Sequence, residues 1–163
     1  MADRPTVYLE TTIPSYLTAW PSSDPKITDN QQSTKTWWRD SRGRYDLYIS
    51  DVVVAEIGTG DATAATERLK VVDSLPRLAV SEAVRSLAVE YLQLLQIPPS
   101  SAPDAFHLAL TVISDIDYLL TWNCKHLANP RVMRAITAEN TRKGLFVPLI
   151  LTPEELLVLE AHP

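Results

Sequence analysis

Four side chains with oxygen donors, each beside an apolar run, are spread widely along this chain. They are Glu10 in VYLET (residues 7–11), Glu56 in VVVAEIG (52–58), Asp104 in PDAFHLAL (103–110) and Asn123 in YLLTWN (118–123). A carboxylate fixed at the end of a buried run, with no basic neighbour in its own segment, is costly unless a cation joins it. Several such groups brought together repel one another, and a divalent ion relieves that repulsion. The chemistry this predicts is metal-dependent hydrolysis. One or two Mg²⁺ or Mn²⁺ ions can supply both a nucleophilic hydroxide and relief of charge on the leaving oxygen of a phosphodiester. Hard cations take oxygen ligands, and Mg²⁺ keeps several of its waters, so a few carboxylates suffice. Asp104 opens a helix, whose dipole favours its anion, and Asn123 adds a neutral oxygen.

The elements that must position these groups follow from local pattern. TVYLE (6–10), DLYIS (46–50), LAV (78–80), YLLTW (118–122) and FVPLIL (146–151) predict strands, the last at a sheet edge because of Pro148. Helices are predicted near residues 15–19, over 29–41, from the Ser50 cap to Ile57, over 62–74, from the Ser81 cap to about residue 96, from Pro103 to about residue 114, and over 130–143. Thr152, Pro153 and Glu155 predict a capping box that opens a final helix, and WPSSDPKITDN (20–30) predicts a loop. Alternating strands and helices predict an α/β domain with a mostly parallel sheet covered on both faces, over a single domain, 1–163. In such sheets ligands bind at the carboxyl ends of the strands. Glu10, Glu56, Asp104 and Asn123 all favour that rim.

Bulk properties exclude several classes. Net charge is −5, which argues against coating nucleic acid by bulk electrostatics, although an acidic nuclease with a local basic rim remains compatible. Only four glycines occur, and none builds a dinucleotide or P-loop pattern. No apolar run reaches the length of about 20 residues that a membrane span needs, and the N-terminal segment MADRPTVYLE has no apolar stretch of signal-peptide length. With a single cysteine, Cys124, no internal disulfide is possible, which fits a reducing cytoplasm.

VYLETTIPSYL resembles the opening of PIN-domain nucleases, where a hydrophobic strand ends in an acid followed by Thr and a small polar residue. YISDVVVAEI resembles that family's strand and Glu-bearing helix, SAPDAFHLALTV its Asp-opened helix, and YLLTWNCKHL its late strand with Thr and Asn or Asp. The motifs span nearly the whole chain in the family's order, and the nearest subgroup is the VapC-like toxins of bacterial toxin–antitoxin pairs. The resemblance implies a PIN-like three-layer fold and a Mg²⁺- or Mn²⁺-dependent endoribonuclease. It implies metal-binding and catalytic roles for Glu10, Glu56, Asp104 and Asn123, with Thr12 and Thr121 supporting the acids. It also implies an RNA substrate, a small cognate antitoxin that masks the site, and a homodimer. Two departures stand out. Glu10 replaces the usual Asp and is one methylene longer. Asn123 leaves at most three formal negative charges, which weakens a second metal ion more than a first.

Other residues carry competing roles. His107 lies one turn after Asp104, placed either to hydrogen-bond near the site or to pack on a helix face. His126 orders its loop or, with Lys125, touches phosphate, while Cys124 is expected as a small packed thiol rather than as the partner in a nucleophilic pair. Trp37 and Trp38 beside Arg39, Arg42 and Arg44 suit either RNA stacking or a core tryptophan with a solvated basic face. Arg131 and Arg134 form a second candidate basic rim. The altered acids at positions 10 and 123 also suit a PIN-like protein- or RNA-binding module that no longer cuts. A phosphohydrolase acting on small substrates or DNA is a third possibility.

Overall fold

Every strand hydrogen-bonds its neighbours in parallel, in the order β3-β2-β1-β4-β5. The strands are β1 (Thr6–Leu9), β2 (Asp46–Ser50), β3 (Arg77–Leu78), β4 (Tyr118–Leu120) and β5 (Leu149–Leu151). The structure is a computed structural model that describes residues 3–163; Met1 and Ala2, which begin the N-terminal segment discussed above, lie outside it. The helices are α1 (Thr12–Thr18), α2 (Pro25–Asp40), α3 (Asp51–Ile57), α4 (Ala62–Val72), α5 (Glu82–Leu94), α6 (Ala102–Ile113), α7 (Pro130–Lys143) and α8 (Pro153–Ala161). Helix α2 packs on α8 and α1 packs on α4, whereas α5 packs on α6. These are the two helical layers that right-handed crossovers build on either face of a parallel sheet. The α/β three-layer architecture expected from the alternating pattern is the one observed.

Strand β1 lies in the centre, with Val7, Tyr8 and Leu9 fully buried. Both of its faces are covered, so its sequence reads as a continuous apolar run rather than an alternation. The first two crossovers move from β1 to β2 to β3 on one side; the chain then crosses back to place β4 on the other side of β1. That reversal makes the carboxyl ends of β1 and β4 the switch point where open α/β sheets form their crevice.

Capping chemistry sets most helix starts as expected. The Ser50 hydroxyl accepts from Val53 N, the Ser81 hydroxyl caps α5, and Thr152 with Glu155 makes the full capping box of α8. Gly144 ends α7 in the left-handed conformation, at φ 69°. Several boundaries differ: the strand expected over 78–80 is Arg77–Leu78, the one over 146–151 begins at Leu149, and the helix over 62–74 ends at Val72. The expected loop over 20–30 stops at Asp24, because its carboxylate accepts from Lys26 N and Pro25 fills the first helical turn. The first helix begins at Thr12 rather than near residue 15. The strand expected over 118–122 ends at Leu120, after which Thr121 and Trp122 turn toward the rim. Among the described residues no helix is long and apolar enough to cross a membrane.

Candidate functional site

Glu10 follows the last residue of β1 and is only 3% exposed. One of its oxygens, Oε1, accepts three hydrogen bonds: from Thr12 N at 3.0 Å, from Thr12 Oγ1 at 2.5 Å and from Thr121 Oγ1 at 2.7 Å. Thr12 in turn accepts from Trp122 N at 2.8 Å, and Thr121 accepts from Asn123 N at 2.9 Å, so the ends of β1 and β4 are tied together through one carboxylate oxygen. No hydrogen bond falls on Glu10 Oε2, and no lysine or arginine pairs with Glu10, Glu56 or Asp104, among the described residues. A nearly buried carboxylate held only by neutral donors is an unfinished charge balance.

Glu56 arrives from the last turn of α3. Its Oε1 accepts from Thr11 Oγ1 at 2.6 Å and pairs with His107 Nε2 at 2.5 Å. Burial works to raise the Glu56 carboxyl, but the hydrogen bond and charge of His107 and the hydrogen bond of Thr11 outweigh it, so the group is held below its ordinary range. His107, in α6, is fully buried, and its other nitrogen, Nδ1, sits 2.6 Å from the Tyr8 hydroxyl. That hydroxyl is 2.7 Å from Ser50 Oγ, the residue that caps α3. Both roles set out for His107 hold at once: it packs in the core and it bonds to the acid of the site. Ligand atoms of Glu10, Glu56 and His107 all lie within 4.8 Å of one another. With metal–ligand distances of about 2.0–2.2 Å, a cation could bridge that spacing with small side-chain adjustments.

Asp104 and Asn123 stand apart from this trio. Asp104 Oδ2 pairs with His126 Nδ1 at 2.7 Å, and Asn123 Oδ1 accepts from His126 N at 3.0 Å. His126 thus orders the loop after β4 by engaging both positions. Asp104 and Asn123 reach the same rim as Glu10 but direct these oxygens toward the loop.

The basic residues divide between the two ends of the sheet. Lys125 is exposed beside His126, and Arg131 opens α7 with its guanidinium donating to Leu95 O at 3.4 Å, so both belong to the carboxyl-end rim. Arg39 and Arg42 do not. They flank the end of α2 and the turn into β2, where Asp46 N donates to Pro5 O, placing them at the amino end of the sheet. The length of β1 and β2 separates them from Glu10, so any nucleic acid they touch lies away from the acids. Arg39 pairs with Asp40, and Arg42 stacks over Trp38 at 4.4 Å, while Trp37 is fully buried in the core. Cys124 is exposed rather than packed. Partial burial and then the Glu155 charge push its thiol up, and His126 is engaged by Asp104, so no thiol–imidazole pair forms.

Tyr8, Thr11 and Ser50 were not singled out from the sequence as site residues. Tyr8 reads as one more large residue in a buried strand, and Ser50 as a helix cap. Only the adjacency of Thr11 to Glu10 was a usable signal.

No protein-family profile matches the chain, and no curated protein matches it. Solved structures do share the fold. VapC20 of Mycobacterium tuberculosis, a sarcin–ricin loop cleaving toxin, superposes with a TM-score of 0.54 at 17% identity, over 69% of this chain and 86% of that one. VapBC2 from Rickettsia felis, bound to a DNA fragment from its promoter, superposes with a TM-score of 0.52 at 14% identity, over 90% of this chain and 98% of that one.

Proposed function

We propose that this chain is a divalent-metal-dependent endoribonuclease, the toxin half of a toxin–antitoxin pair. The observation that carries the proposal is Glu10: a carboxylate 3% exposed, at the switch point of a parallel sheet, beside Glu56 and without a lysine or arginine partner among the described residues. The fold shared with a sarcin–ricin loop cleaving toxin supports the same direction. The donor set fits Mg²⁺ or Mn²⁺, since Glu10 leaves Oε2 free of protein donors. Such an ion, when bound, supplies an activated water and neutralises phosphate charge. Glu10 and Glu56 would hold it, and Asp104 and Asn123 would complete the site directly or through water. Thr12 and Thr121 keep the Glu10 carboxylate in one orientation, so the ligand is positioned before the ion arrives. Lys125 and Arg131 would meet the phosphates of RNA entering along the carboxyl-end rim. A small antitoxin covering that rim, a homodimer and a cytoplasmic setting belong to the same proposal.

The test is cleavage of a structured RNA with Mn²⁺, with Mg²⁺ and with chelator. The wild type is expected to cut with metal only, and Glu10→Gln and Asp104→Asn are expected to lose at least about 100-fold, the scale on which removing a charge-stabilising group slows catalysis. An Asp104→Asn variant that cuts as fast as wild type would remove Asp104 from the machinery. One observation favours a binding module instead: His107 and His126 already occupy oxygens of Glu56 and Asp104. Wild type that binds RNA yet fails to cut it under every metal condition would select that alternative. Cleavage of DNA or phosphomonoesters in preference to RNA would select the small-substrate hydrolase.

A further inference from the structure

The Glu10, Glu56 and His107 cluster differs from an all-oxygen site in one respect, its imidazole, and that imidazole is backed by a hydrogen-bond chain that works in either direction. In the arrangement observed, Glu56 can only accept, so Nε2 of His107 carries the hydrogen and donates to it at 2.5 Å. In the neutral imidazole Nδ1 then accepts, the Tyr8 hydroxyl donates to it at 2.6 Å, and the Ser50 hydroxyl donates to Tyr8 at 2.7 Å. Every member is satisfied, which matters because Tyr8, Ser50 and His107 are all fully buried. The polarity is reversible, because Tyr and Ser hydroxyls both donate and accept. Tyr8 can donate to Ser50 Oγ and accept from Nδ1–H. The Nε2 lone pair then faces Glu10 and Glu56, at the cost of leaving the Ser50 hydrogen unengaged. An aliphatic neighbour at position 8 would forbid this second state, since a buried Nδ1–H would have no acceptor.

We propose that His107 is a ligand of the cation site and that Tyr8 is the residue that positions it, switching the imidazole from its Nε2–H to its Nδ1–H tautomer when a cation binds. The switch gives the Nε2 proton up to water and returns one from water to Nδ1 while the Tyr8 and Ser50 hydroxyls rotate, so the count of bound protons is unchanged. Its consequence is selectivity. Imidazole binds Zn²⁺ well and Mn²⁺ only weakly, but both better than Mg²⁺, which prefers oxygen. The site therefore prefers transition ions to Mg²⁺ although its other donors are carboxylates. Ligating histidines ordinarily rest their second nitrogen on a hydrogen-bond partner, and removing such a partner weakens metal binding by about 10–100-fold.

The inference rests on the metal-site proposal above, and its test separates the two. Nitrogen-15 NMR of the histidine rings, with the three histidines of the wild type assigned through their backbone connectivities, is recorded without metal and with Zn²⁺ as a diamagnetic probe. The expected result is an Nε2–H tautomer of His107 without metal and an Nδ1–H tautomer with a shifted Nε2 on saturation. Calorimetry of Mn²⁺ and Mg²⁺ binding follows: wild type favours Mn²⁺, Tyr8→Phe weakens Mn²⁺ by about 10–100-fold, and His107→Gln brings the two ions to similar affinity. Zinc bound through Glu10 and Glu56 while His107 keeps Nε2–H would overturn the inference and leave the metal site intact. A zinc response confined to His126 or His162 would overturn it as well. No binding of Zn²⁺, Mn²⁺ or Mg²⁺ would overturn both proposals. The wild-type spectra decide the matter even if a substituted chain folds poorly.

Discussion

At Glu10, Oε1 takes all three hydrogen bonds from Thr12 and Thr121, leaving Oε2 without a protein donor among the described residues. The same division of labour recurs at Glu56, where Oε1 serves both Thr11 and His107. Thr12 and Thr121 could be assigned to support the acids from sequence, because they sit within two residues of acid or rim positions. Tyr8 could not, because its hydroxyl finds His107 across 99 residues. Buried tyrosines also set how the fold responds to alkali. Burial and then the charges of Glu90 and Glu139 push Tyr91 up to about 12, against the pull of its hydrogen bond to Asn140. Tyr8 and Tyr45 are raised too, each first by burial. The unfolded chain releases these protons near pH 10 and the folded chain releases them later, so the unfolded state binds fewer protons in between. Their contribution is therefore complete below about pH 10 and is lost as pH rises toward the folded values. Urea midpoints measured from about pH 8 to about pH 11 are expected to fall, and Tyr91→Phe should make that fall shallower.

Elements whose ends are marked by local chemistry match their sequence-based boundaries. Strand β2 and helices α3 and α7 begin and end where the pattern places them, since Ser50, Asn129 and Gly144 satisfy or stop the backbone there. The miss at α2 has a local cause as well: Asp24-Pro25 is a helix start inside a segment whose Pro and Ser content reads as loop. Asn129 does more than cap. Its Oδ1 accepts from Val132 N at 2.9 Å, while its Nδ2 donates to the carbonyls of Cys124 at 2.8 Å and Lys125 at 3.2 Å. It thereby fastens α7 to the loop that carries Asn123 and His126. Asn129→Ala is expected to cost about 1–2 kcal/mol of stability in urea denaturation. It should also speed amide hydrogen exchange over residues 123–129, because the loop loses its anchor. Exchange unchanged there would show that the pairing of Asp104 with His126 alone holds the loop.

Across the whole molecule, the crossing from β3 back to β4 gathers the acids. It sets Thr121 beside Glu10, and it sends α6 down from the carboxyl end so that His107 meets Glu56 of α3. A cation taken there binds the folded chain alone, so it should raise stability by mass action. At a hundredfold excess over its dissociation constant the gain is about 2.7 kcal/mol, an increase in Tm of roughly 5–10 °C for a chain of this size. Thermal scans with Mn²⁺ and with chelator are expected to show that difference in wild type and to lose it in Glu10→Gln. An equal shift in both would place the ion elsewhere. The sequence alone determined the alternation of strands and helices, the caps, and the arrival of four oxygen donors at one rim, because these depend on spacing of a few residues and on the rule that strands deliver ligands at their carboxyl ends. Only the tertiary structure decided which donors meet. The trio is Glu10, Glu56 and His107, while Asp104 and Asn123 are engaged by His126 and Arg39 and Arg42 fall at the far end of the sheet. Those outcomes depend on side-chain contacts between segments tens of residues apart, where a shift of a few ångströms exchanges one partner for another and leaves the local pattern of the sequence unchanged.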